Sequence, residues 1–135
     1  MDLIKFNKFI EPKFNEQFAW GSNDCNTLIL EYLDFMLGTE TLKIAYKKYH
    51  TKFGAMKFQK KYQQRVSEKC VELGLTAIHV LQARHGDILI KTDPRWDMCH
   101  LSMGNKFISI DEVVGVSAVT IPDLKIFDKA YRLPC

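Results

Sequence analysis

Trp20-Gly21-Ser22-Asn23-Asp24-Cys25 runs without a break into Asn26-Thr27-Leu28-Ile29-Leu30-Glu31-Tyr32-Leu33-Asp34-Phe35-Met36-Leu37-Gly38, and this stretch decides how the chain is read. Leu28, Ile29, Tyr32, Leu33, Phe35 and Met36 recur at helical spacing and build a broad apolar face. Ser22, Asn23 and Asp24 offer side-chain oxygens to the free N–H groups of a helix start. Gly38 stands where a helix ends in a left-handed residue. Glu31 and Asp34 are the only charges between Asn26 and Leu37, so the helix is expected in the core.

Beyond it the pattern predicts two more helical stretches, Thr41–Tyr49 and Ala55–Leu73, the second stopped by Gly74. Ile44, Phe53, Phe58, Tyr62 and Val66 are their expected inward residues. After Gly74 the texture changes to short β-type runs: Ala77–Leu81, Asp87–Lys91, Cys99–Met103, Lys106–Ile110, Val116–Ile121 and a piece at Tyr131–Leu133. His85-Gly86-Asp87, Asp93-Pro94-Arg95 and Gly104-Asn105 supply turn chemistry between them. Gly104-Asn105 joins two runs at two-residue spacing with Gly first, which predicts a hairpin. Residues 1–19 form an irregular or short helical lead-in around Pro12. Helices first and strands afterwards predict an α+β domain, N-terminal helices packed on a C-terminal antiparallel sheet.

With 135 residues there is room for one domain and one hydrophobic core. A 47% hydrophobic, 26% charged composition belongs to a folded chain. No apolar run approaches the ~20 residues of a membrane span, so no membrane segment is expected. The N-terminus lacks a basic-then-apolar layout, which predicts synthesis in a cytoplasm without a signal peptide. Net charge is only +3, but it is unevenly spread. Nine basic residues between Lys43 and Lys69 face one acid, Glu68, leaving the rest of the chain acidic by five charges. Eight of the nine are Lys rather than Arg, which suits a solvated helical face better than base readout. Docking of an acidic partner stays open as the alternative, and nucleic acid is disfavoured.

Chemistry gathers at Cys25. It falls in the first turn of the expected helix, where unpaired N–H groups favour a thiolate and could hold a developing oxyanion. A thiol nucleophile needs a base, and the base needs an orienting group. His100 opens a β-run, and the partner strand carries Ser109 and Asp111 on one face by alternation. The plain alternatives stand beside this: Cys25 as an inert helix-start residue, His100 as an ordinary strand residue, and Trp20 as packing. The four cysteines, Cys25, Cys70, Cys99 and Cys135, have no zinc-module spacing, and Cys99-His100 has no ligand pattern with Cys70, His79 or His85. Reduced thiols, no metal and no cofactor are expected.

Taken in order, these pieces resemble the NlpC/P60 cysteine peptidases. Phe18-Ala19-Trp20-Gly21, Asp24-Cys25 and the helix are similar to the nucleophile region of that superfamily. Gly86-Asp87-Ile88-Leu89 resembles its Gly-Asp strand, and His100 through Ser109 its histidine strand, turn and following strand. The likeness extends to small phage-tail and prophage members, with Tyr49-x-x-x-x-Gly54-Ala55, Leu73-Gly74, Gly115-Val116 and a terminal strand at Tyr131 to Pro134. It spans roughly residues 14–134 and implies a single papain-like domain, 1–135, with 1–17 as lead-in and 39–74 as a basic helical insert. It implies Cys25 as nucleophile and His100 as general base. Ser109 takes the third polar position, with Asp111 as substitute, and Trp20 and Asp24 lie at substrate-binding positions. It further implies a virion tail location, with other tail proteins and peptidoglycan as partners. The chain departs from the pattern at Phe18, where the family commonly has Tyr, at Asn26-Thr27 in place of Ser-Gly, and at Ser109. Two functions follow: hydrolysis of peptidoglycan stem-peptide amides during host entry, or a structural tail component using the same fold as a scaffold.

Overall fold

The computed structural model describes residues 1–62, 65–94, 96–110, 115, 117–120 and 123–134. Helix α1 (Leu3–Ile10) opens the chain, its start capped by the Asp2 carboxylate accepting from the Lys5 amide. A 3-10 turn at Glu11–Lys13 places Pro12 where its missing N–H costs nothing. Helix α2 (Cys25–Leu37) follows the predicted span, with Asp24 as N-cap and Gly38 ending it at φ +70°. Its Leu28, Ile29, Leu30, Tyr32 and Leu33 are buried.

The basic region departs from expectation. In place of two helices the described residues form three: α3 (Leu42–Ala45), α4 (Lys52–Tyr62) and α5 (Val66–Glu72). Phe58 and Val66 point inward as predicted, while Ile44 and Phe53 are exposed. The break before α5 has a cause. Arg65 is extended, and its guanidinium donates to the Asp93 carbonyl and the Asp97 carboxylate. Those long-range partners outweigh a continuous helix.

Among the described residues six strands form one antiparallel sheet: β1 (Thr76–Ile78), β2 (Ile88–Thr92), β3 (Asp97–Ser102), β4 (Phe107–Ile110), β5 (Ser117–Thr120) and β6 (Lys129–Arg132). Their order is β1-β6-β2-β3-β4-β5. The Gly104-Asn105 hairpin forms with Gly104 at φ +96°, pairing Leu101 with Ile108 and Ser102 with Phe107. The chain is therefore α+β, as the sequence pattern predicts.

Alternation splits the strand residues between two cores. Ile88, Ile90, Cys99, Leu101, Ile108 and Ile110 join Phe6, Phe9, Ile10 and the buried face of α2 in the main core. Leu89, Phe107, Phe127 and Ala130 build a smaller cluster on the opposite face. Gly86-Asp87 fastens the start of β2. The Gly86 carbonyl accepts from the Tyr32 hydroxyl at 2.7 Å, and the buried Asp87 carboxylate pairs with the Arg132 guanidinium at 2.8 Å. No helix among the described residues is long and apolar enough to cross a membrane.

Candidate functional site around Cys25

Asp24 is the hub. It is 1% exposed, and its carboxylate accepts five hydrogen bonds. Oδ1 takes the amides of Asn26 and Thr27 at 3.0 and 2.9 Å and the Thr27 hydroxyl at 3.2 Å. Oδ2 takes the Gly21 amide at 2.9 Å and the Tyr49 hydroxyl at 2.8 Å. Thr27 returns the favour by accepting from the Asp24 amide, completing a capping box. Burial, and then the Asp24 charge, hold the Tyr49 phenol firmly protonated. Gly21 sits at φ +84°, and a Cβ there would collide with the Tyr49 carbonyl oxygen. Trp-Gly-x-x-Asp is thus the framework that joins the start of α2 to the Tyr49 loop. Both Asp24 oxygens are engaged within the fold, which gives the residue a structural role at the start of α2.

Cys25 is the first residue of α2 and is half-buried. The Asn26 and Thr27 amides are engaged by Asp24, and that of Leu28 by the Asp24 carbonyl at 2.9 Å. Three of the helix-start N–H groups expected to hold an oxyanion are thus occupied within the fold. Its Sγ lies 3.9 Å from the Asp97 carbonyl oxygen. The fully buried Cys99 thiol lies 3.9 Å from the same oxygen and 3.5 Å from Asn26 Oδ1. Burial, followed by the Cys25 neighbour, pushes the Cys99 thiol well above the usual range.

His100 is elsewhere. Its cross-strand partner is Leu89, a member of the smaller cluster, and its ring meets Phe127 edge-on with centroids 5.0 Å apart. Cys25 packs against the main core on the other face of the sheet. The structure therefore does not bring Cys25 and His100 together. Ser109 does share the His100 face, by its alternation with Phe107, but its hydroxyl donates to the Cys99 carbonyl at 3.1 Å. Asp111 lies outside the described residues, as does Cys135. Trp20 packs on the Tyr49–Phe58 cluster and meets Phe18 and Trp96 edge-on.

Asn26, Tyr49, Asp97 and Cys99 surround Cys25 or its cap without having been singled out for that role. Tyr49 carried a signal, since it opens Tyr49-x-x-x-x-Gly54-Ala55. Asp97 carried none: it is fully buried and accepts from the Ser67 amide and hydroxyl at 2.9 and 2.6 Å and from Arg65 at 3.2 Å. Among the described residues no group of three His, Cys, Asp or Glu side chains is placed to hold a metal ion.

Fold and site together define an α+β protein with a buried aspartate cap and two adjoining thiols where a helix meets a sheet. The chain belongs to the family described as a domain of unknown function, DUF6950, which matches residues 4–132. No curated protein matches it.

Proposed function

We propose that the chain is a structural component of a phage tail, built on an NlpC/P60-like, papain-type framework and acting as a scaffold rather than a peptidase. The order of its motifs, from Trp20-Gly21 through His100 to the terminal strand, supports the tail assignment. One observation carries the non-catalytic half: His100 meets Phe127 edge-on, across the sheet from Cys25. A base that cannot reach the sulfur cannot take its proton or return one to a leaving amine.

The test is the pH dependence of iodoacetamide alkylation at Cys25, followed on its tryptic peptide Phe14–Lys43, in the native protein and in His100→Ala. The scaffold reading expects superimposable curves and no release of stem peptides from peptidoglycan. A curve that moves to higher pH when His100 is lost would establish a thiol–imidazole pair and restore the peptidase. Absence of the chain from the tails of purified particles would overturn the structural assignment.

A further inference from the structure

Two thiols meeting at a helix–sheet junction have a chemistry of their own. Cys25 is half-buried, on the first turn of α2, whereas Cys99 is fully buried on β3. Both sulfurs stand 3.9 Å from one carbonyl oxygen, that of Asp97, which brings the two side chains to the same point of the junction. The remaining described cysteine, Cys70, is buried on α5. A half-buried sulfur and a fully buried one therefore share a single carbonyl oxygen.

We propose that Cys25 and Cys99 are a redox-active pair in which hydrogen peroxide oxidises Cys25 and Cys99 resolves it to an intramolecular disulfide between α2 and β3. In the first step the Cys25 thiolate attacks one peroxide oxygen. An S–O bond forms, the O–O bond breaks, and the product is a sulfenic acid with release of water. In the second step the Cys99 sulfur attacks the Cys25 sulfur; the S–S bond forms, the S–O bond breaks, and hydroxide leaves with the Cys99 proton as water. Two thiols lose two electrons and one peroxide becomes two waters. The link would withdraw the Cys25 thiol and tie the start of α2 to the sheet. This inference is independent of the tail assignment.

Trypsin places the four cysteines on separate peptides, Phe14–Lys43, Cys70–Arg84, Trp96–Lys106 and Leu133–Cys135. The native protein is treated with hydrogen peroxide, free thiols are alkylated, and peptides are mapped by mass spectrometry without reduction. The expected product is Phe14–Lys43 joined to Trp96–Lys106 in most of the Cys25 population, within one chain and reversed by dithiothreitol. In Cys99→Ser the link disappears and Cys25 proceeds to sulfinic and sulfonic acids. Should that variant not fold, the same oxidation in urea replaces it, where the pairing preference is expected to scatter over all four cysteines. Over-oxidised Cys25 beside a free Cys99 in the native protein, or a preferred link to Cys70, Cys135 or a second chain, overturns the proposal.

Discussion

Replacing Asp24 by Ala removes one carboxylate and leaves five donors to find other partners. Loss of an N-cap alone costs about 1–2 kcal/mol. The Asn26 and Thr27 amides are the groups that this figure covers. The Gly21 amide and Tyr49 hydroxyl are separate, because they tie the loop before α2 to the segment before α4. Each buried donor left unsatisfied costs about 1–3 kcal/mol, and the Tyr49 hydroxyl can turn while the Gly21 amide cannot. Since neighbours relax together, the contributions do not add fully, and the expected total is about 3–5 kcal/mol. That is a large fraction of the ~5–15 kcal/mol that holds a domain together. Urea unfolding followed by tryptophan fluorescence reads it directly. Asp24→Asn is expected to lose less, because its remaining oxygen still caps α2 while its amide faces the Gly21 N–H unfavourably. Tyr49→Phe supplies the control: in a double-mutant cycle with Asp24→Ala its cost should shrink by at least ~0.5 kcal/mol. A cost below ~0.5 kcal/mol for Asp24→Ala would refute the cap argument and return Asp24 to the surface chemistry of the site.

Leu33 is fully buried on α2, so Leu33→Ala should cost about 2–5 kcal/mol in the same urea assay. A cost under ~0.5 kcal/mol would place that face of α2 outside the core. Asp34 gives a pH test. Partial burial pushes its carboxyl pKa upward, but hydrogen bonds from the Thr39 hydroxyl, the Leu42 amide and Thr41 outweigh it and hold the pKa below the ordinary value. A depressed folded-state pKa stabilises above the unfolded value and loses that contribution as pH falls through the folded one. The gap in urea midpoint between the native protein and Asp34→Ala should therefore be widest near neutrality and close below pH ~4. A gap that stays constant through that acid range would remove the carboxylate from the explanation.

Helix α2 was legible because its signals are local: Asp24 at the cap, Gly38 at the end, and apolar residues at helical spacing between them. The β3–β4 hairpin was legible for the same reason, since Gly104 supplies the positive φ that the two-residue turn demands. The break at Arg65 was not. Its partners, Asp93 and Asp97, lie about thirty residues further along, and the pattern in 55–73 contains no trace of them. The exposure of Ile44 and Phe53 is part of that failure, because their expected burial assumed the two-helix arrangement. Asp97 shows the limit in another form. An acidic residue at the head of a strand reads as a surface group, and only the approach of α5 turns it into the buried acceptor for Ser67.

The separation of Cys25 from His100 follows from parity. Alternation puts Ser109 on the His100 face, yet grouping residues on a face does not say which face the helix covers. The apolar residues say it. On β2 and β3 the set Ile88, Ile90, Cys99 and Leu101 is more uniformly apolar than Leu89, Met98 and His100, so the nearly all-apolar α2 belongs on the first set. Its first residue then meets positions 97 and 99, never 98 or 100, and a one-residue slip of β3 would bury the imidazole to correct it. A base aimed at Cys25 from this strand would have to replace Cys99. The chain carries a second thiol there, so what the first residue of α2 meets across the junction is a sulfur rather than an imidazole.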